Sequence, residues 1–240
     1  MTIYFRHSPQ VWEQFPQLVA GLLVVEGIHP EVDVEDHLQR WYQRAHERLG
    51  GQNESQLDEI SAWRRVYSQM GLKPTQYRSA AEALLRRFRR EDDLPRLHPL
   101  VDLCNALSLA FALPVAVFDL DHVDRYLEVR HAKGTEEYLA FSDDIEIPPA
   151  DEIIFADASD QVHARRWTFR QSRRSVIRPE TGCALIVSEG MHEAAKTDVP
   201  ALIDALAGEI SSFWSPPTYR AILSEESPQL DFEVTKRTAP

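Results

Sequence analysis

Two carboxylates stand two positions apart at the end of an apolar run, Val115-Ala116-Val117-Phe118-Asp119-Leu120-Asp121. A strand that delivers Asp-x-Asp to a sheet edge can aim one carboxylate at phosphorus and use the other for acid–base work beside magnesium. Such a site must also offset the phosphate charge and complete the metal's ligands with further cationic and acidic groups. Asp143-Asp144 follows too soon and has no apolar strand before it. The plainer reading is that Asp119 and Asp121 cap the strand by accepting from neighbouring amides. No Cys-x-x-Cys, His-Glu-x-x-His, phosphate-loop or Gly-x-Ser-x-Gly pattern occurs, so zinc and serine-nucleophile chemistry lack local support. The nine histidines are scattered and read as surface or packing residues. No metal or other cofactor is expected.

Charge narrows the partners. The chain carries 26 Lys and Arg against 38 Asp and Glu, a formal −12, which opposes non-specific nucleic-acid binding and leaves no DNA partner expected. The basic residues are nevertheless concentrated. Residues 63–100 hold nine basic and four acidic side chains, and 161–180 hold six and one, whereas 101–160 hold three and fourteen. If the two basic stretches meet, they form one positive face on an acidic body; otherwise each is a solvated surface with acidic partners of its own.

At 240 residues, 43% of them hydrophobic, the chain can bury an ample core. Its longest apolar run, Leu18 to Val25, is far short of the ~20 residues that a membrane span needs, and no membrane partner is expected. The first ten residues lack a secretory-signal pattern, and Cys104 and Cys183 fit reduced core thiols better than a disulfide framework. A cytoplasmic location is expected.

The elements that must position these residues change character along the chain. Residues 17–28 read as a buried strand between Pro16 and Pro30, and 31–49 and 55–70 as helices closed by Gly50-Gly51 and Gly71. Ser79-Ala80-Ala81-Glu82 matches a capping box, opening a helix with Leu84, Leu85 and Phe88 inward and Arg86, Arg87, Arg89 and Arg90 mainly outward. Pro99 starts another helix that ends before Pro114. Short strands follow over 114–118, 126–131, 137–141, 152–156, 162–169 and 183–188. A terminal helix over 191–214 and a polar tail over 216–240 complete the reading. Helices first and strands later predict one α+β domain over 1–215, helix-rich to 113 and strand-rich over 114–190.

The order Trp63-Arg64-Arg65, Gly71, Pro74, Arg78 to Arg87, Leu94-Pro95, Val101-Asp102, Asn105, Pro114 and Phe118-Asp119 is informative as a whole. With Phe155-Ala156-Asp157, Arg165-Arg166-Trp167-Thr168-Phe169-Arg170, Ser175 and Thr181, it resembles the B3/B4 domain of the phenylalanyl-tRNA synthetase beta subunit in free-standing form. The resemblance implies helices packed around a mixed or antiparallel β-sandwich. It also implies hydrolysis of the ester that joins a wrong amino acid to tRNA, through a positioned water and without a protein nucleophile. Asn105 matches the asparagine that lines the family's editing pocket, and Asp119 matches the aspartate of Pro-x-His-x-Phe-Asp. The histidine of that motif is Ala116 here, and the family's Gly-Gly-Glu is replaced by Gln171-Ser172-Arg173. Other groups, Glu82, Arg78, Thr168 or Glu189, then complete the pocket, or the domain is no esterase. The expected catalytic set is Asn105, Asp119, Thr168 and Glu82. The expected tRNA contacts are Arg78, Arg86, Arg87, Arg166, Arg170, Arg173 and Arg174.

The size leaves no room beside this domain for an adenylate-forming core, so editing of mischarged tRNA in trans is the leading expectation. A non-catalytic RNA-binding module, or a protein that binds or hydrolyses a free amino acid or small ester, is the alternative.

Overall fold

A computed structural model describes residues 1–234. The chain opens with β1 (Thr2–His7), whose Ile3, Phe5 and His7 alternate inward. A short α1 (Pro9–Gln14) follows, and then β2 (Val19–Glu26), buried along nearly its whole length. Four helices come next: α2 (Glu35–Leu49), α3 (Asp58–Gln69), α4 (Ala80–Glu91) and α5 (Pro99–Phe111). The strand-rich part runs through β3 (Val115–Asp119), β4 (Tyr126–His131), β5 (Glu137–Leu139), β6 (Ile145–Glu146), β7 (Ile153–Ala156), β8 (Gln161–Arg165), β9 (Arg170–Gln171) and β10 (Cys183–Gly190). Helix α6 (Ala195–Phe213) then leads into β11 (Tyr219–Leu223) and β12 (Gln229–Glu233).

The fold is α+β in three layers. The smaller sheet is antiparallel, in the order β11-β2-β10-β3. The larger runs β12-β1-β4-β7-β8-β5-β6 with β9 beside β8, and is mixed because β1 lies parallel to β4 and β5 parallel to β8. Strand β2 shows how one sequence serves two interfaces. Its Leu22 and Val24 join Phe5, Leu127 and Phe155 of the larger sheet, while Val19, Leu23 and Val25 join Leu38, Leu103 and Ile203 of the helices. The period-2 alternation of a strand sends successive side chains to opposite faces, and both faces here are apolar. The expected sandwich is therefore present, with most helices stacked on one outer face rather than around it.

Helix α6 crosses this sheet closely at Gly21. A Cβ there would overlap the side chain of Ile203, and Val199 beside it. Gly21→Ala is expected to lower the unfolding free energy by about 1–3 kcal/mol through overpacking, seen as a lower urea midpoint at unchanged slope.

Three sequence expectations need correction. The polar tail over 216–240 contains β11 and β12: β11 extends the smaller sheet beside β2 and β12 extends the larger beside β1. Both are five-residue edge strands, and each anchors one fully buried residue in the core, Leu223 and Phe232. The rest of that tail, 235–240, lies outside the described residues. The first strand was hidden in a helix-rich stretch. Finally, the strand expected over 162–169 stops at Arg165, because Arg166 and Trp167 both adopt left-handed backbone conformations, with φ of 46° and 58°.

One loop has a clear electrostatic role. Gly134, at φ 89°, turns the chain so that the amides of Lys133, Gly134 and Thr135 converge on the buried Glu136 carboxylate, with Arg130 opposite. Burial alone would raise this carboxyl, but the amides and the guanidinium overcome it and bring the pKa down to about 2. An unfolded glutamate titrates near ~4.3. The carboxylate therefore supports the fold fully above about pH 5, and that support, at most about 3 kcal/mol, is lost as pH falls toward 2. Glu136→Gln is expected to flatten the loss of stability between pH 5 and pH 2, measured as urea midpoints across that range.

Candidate functional site

The left-handed pair Arg166-Trp167 sits at the edge of a small cavity. Left-handed backbone costs an L-residue roughly 1–2 kcal/mol, and it persists here because three elements hold the turn. Trp167 N–H donates to Ile153 O at 2.8 Å, Tyr67 Oη donates to Arg166 O at 3.3 Å, and Ala80 N–H donates to Thr168 O at 2.7 Å. The Trp167 indole is fully buried, edge-on to Trp63 and Phe15 at 5.2 Å and 5.0 Å between ring centres. Beyond it, Thr168 to Gln171 form one wall, Pro114 to Ala116 a second, and Val187 and Glu189 of β10 a third. The enclosed volume is about 70 Å³, space for roughly five waters or one small side chain.

Most of this lining is apolar, which makes its one carboxylate conspicuous. Glu189 is buried, and its Oε1 accepts from the Trp167 indole N–H at 2.8 Å and lies 2.6 Å from His7 Nε2. The Trp63 indole donates to the Glu189 carbonyl at 3.3 Å. One carboxylate oxygen is thus fixed by two ring nitrogens. Thr168 brings a hydroxyl, 3.1 Å from Tyr67 Oη. Burial pushes the Tyr67 phenol far up, so it stays protonated. The one Tyr67 proton goes to Arg166 O, so the Thr168 hydroxyl donates to Tyr67 Oη and would turn from it to bond a carbonyl oxygen in the cavity.

Of the four expected catalytic residues, the structure brings only Thr168 to this cavity. Asn105 is half-buried on α5, among the helices. Asp119 ends β3, about 13 Å of strand away from Val115 at the cavity wall. There it accepts from the Asp121 amide at 3.0 Å and from the Thr181 hydroxyl at 2.7 Å, the strand-end capping read from the sequence. Glu82 does not close a capping box: Ser79 Oγ accepts from the Glu82 amide, but the Glu82 carboxylate turns to Arg64 at 2.6 Å, with Arg78 3.5 Å from the same oxygen. Burial raises the Glu82 carboxyl, and Arg64 and Arg78 partly offset this. Glu82 ties α3 to α4, next to the cavity wall at Ala80.

The basic stretches are largely provided with acidic partners. Arg165 pairs with Glu146 and Glu152, Arg166 approaches Glu152, Arg170 approaches Glu146, and Arg173 pairs with Asp143. Arg166 also lies over the rings of Tyr77 and Phe169, at 4.7 Å and 5.6 Å. The Arg174 side chain is largely enclosed, with a buried Nε that lacks a partner among the described residues. On α4, Arg86, Arg87, Arg89 and Arg90 are exposed, with Arg87 and Arg90 sharing Glu91 and Arg89 reaching Glu54. The reading that gave each stretch local partners describes 161–180 best.

Sequence reasoning missed His7 and the cavity role of Trp167, and it missed a buried relay. His163 Nδ1 is 2.8 Å from Ser175 Oγ and its Nε2 is 3.3 Å from Asp157 Oδ2. Burial lowers the His163 imidazole, and Asp157 opposes that shift. These are the residue types of an acyl-transfer triad. Ser175 and His163 are completely buried, however, so the relay fastens the 173–175 turn to β8 and offers no nucleophile to solvent.

Comparison with known proteins adds the relationship. A crystal structure of an N-terminal fragment of the phenylalanyl-tRNA synthetase beta-subunit from Pyrococcus horikoshii aligns at 11% identity and a TM-score of 0.43. The alignment covers 91% of this chain and 49% of that one, so the chain spans about half the length of its structural relative. No curated protein matches the chain. Residues 62–199, from the middle of α3 to the first turns of α6, match the B3/4 domain, and the chain belongs to that family.

Proposed function

We propose that the protein hydrolyses aminoacyl esters at the cavity beside Trp167, with the aminoacyl end of a mischarged tRNA as substrate. The supporting observation is one buried carboxylate, Glu189, fixed by His7 and Trp167 in a mostly apolar cavity with room for a small side chain. A water held by Glu189 would attack the ester carbonyl and pass a proton to the carboxylate. The Thr168 hydroxyl would donate to the carbonyl oxygen as it gains charge. Collapse of the tetrahedral intermediate then breaks the ester bond, and the departing ribose hydroxyl takes the proton back from Glu189. Membership of the B3/4 domain family supports the tRNA part of this reading.

The paired arginines favour a second reading, in which the ligand is a free amino acid or small ester and no RNA surface is needed. The test incubates the protein with a panel of mischarged aminoacyl-tRNAs and with free amino-acid esters at stepped salt. Faster turnover of an aminoacyl-tRNA, weakening as salt rises, supports tRNA editing. Equal hydrolysis of free esters, indifferent to salt, supports the second reading. Neither activity overturns both.

A further inference from the structure

Three side chains far apart in the sequence meet beside the cavity region. Glu59 comes from the first turn of α3, His192 from just beyond β10, and Asp198 from the first turn of α6. One ligand atom from each lies within 4.8 Å of the others. His192 Nε2 is 2.8 Å from Asp198 Oδ2 and 3.9 Å from Glu59 Oε1. Ligand atoms around a tetrahedral zinc ion, each bonded at ~2.0–2.2 Å, stand about 3.4 Å apart. The two observed separations straddle that spacing, so small side-chain movements would admit an ion.

Two further observations point to a ligand. Glu59 and His192 are 3% and 6% exposed, and Oε2 of the Glu59 carboxylate that approaches His192 Nε2 is buried without a hydrogen-bond partner among the described residues. Both residues border an open hollow of about 460 Å³, which gives solvent and ions access. The charged residues that line the hollow are Asp58, Glu59 and Glu193 against Arg65, while Asp198 pairs with His192 and Arg48 with Glu59. Three carboxylates against one guanidinium leave an excess of two negative charges, which Asp198 and Arg48 leave unchanged, the complement of a divalent cation.

We propose that Glu59, His192 and Asp198 form a binding site for a divalent transition-metal ion of the zinc class. The imidazole ligand selects against magnesium and calcium, which prefer oxygen. Three protein ligands leave the fourth position to a water on the side of the hollow. A bound ion would join α3 and α6 to the end of the strand that carries Glu189, three residues before His192. Positions 59, 192 and 198 form no local ligand motif, so a search by spacing passes over them.

The test uses the full chain, stripped of metal by a chelator, and titrates Zn²⁺ in competition with a chromogenic chelator. One ion per chain is expected to bind at micromolar or tighter Kd. His192→Gln and Asp198→Asn are each expected to weaken binding at least 10-fold, and Arg48→Gln to tighten it by freeing Glu59. Because Asp198 is one-third exposed on its side chain, Asp198→Asn keeps the experiment decisive if His192→Gln does not fold. Co²⁺ in place of Zn²⁺ is expected to give the visible absorption of a four-coordinate site, absent from Asp198→Asn. Zn²⁺ binding weaker than ~100 µM, or binding that Asp198→Asn and His192→Gln leave unchanged, overturns the proposal. The cluster is then a structural contact, with His192 bonded to Asp198 and Glu59 held by Arg48.

Discussion

Glu189→Gln is expected to slow aminoacyl-ester hydrolysis by about 10²- to 10⁴-fold, the range attributed to a positioned general base. The substitution keeps the volume of the side chain and an oxygen that can accept from the Trp167 indole. It removes the charge and one proton-accepting oxygen. The fold should therefore survive, and single-turnover rates with saturating substrate should show the loss in kcat rather than in KM. His7→Asn is expected to produce a smaller loss, because His7 orients Glu189 at 2.6 Å and lies behind it from the cavity. Full activity in Glu189→Gln would remove Glu189 from the mechanism and leave the cavity without a base.

The second large effect is on stability. Trp167→Ala is expected to cost about 3–5 kcal/mol, as for other large buried aromatics. Its ring packs against Trp63, Phe15 and His7, and its indole N–H is one of the two donors on Glu189. Removing it opens a void between the sheets and frees the Glu189 carboxylate at once. For a chain of this size the melting temperature should fall by roughly 10 °C. A fall of less than ~2 °C would mean that the 166–168 turn is held without the indole. In that event the left-handed backbone there has another cause.

The helices and central strands were legible because their patterns are strong. Phe88 and Leu85 recur at helical spacing, the strands at 115–119 and 183–190 are mostly apolar, and 126–131 alternates Leu127 and Val129 with polar residues. Strands β11 and β12 were not legible, because each has only five residues and Pro216-Pro217 and the polar run Ser224 to Pro228 surround them. The turn at Arg166-Trp167 was hidden for a different reason: left-handed backbone is read from glycine or asparagine, and here tertiary contacts impose it on arginine and tryptophan. The candidate site suffered most. Glu189 was visible as a lone acid at the end of an apolar strand, but its partner His7 lies 182 positions earlier and meets it only through the pairing of the two sheets. Asn105 and Asp119 were placed by resemblance to a family motif that this chain keeps only in part, and the fold uses Asp119 to cap a strand.

The most direct test of the cavity as the aminoacyl site is the indole N–H resonance of Trp167 in an NMR titration. The titrant is a non-hydrolysable amide analogue of an aminoacylated 3′-adenosine with a small side chain. The resonance should shift on saturation, because that N–H bonds the carboxylate that receives the ligand. Ala116→Leu, which fills the cavity from the β3 wall, should abolish the shift while leaving the free spectrum otherwise native. Binding that perturbs other resonances and leaves Trp167 unmoved in the wild-type protein would contradict the assignment of this cavity.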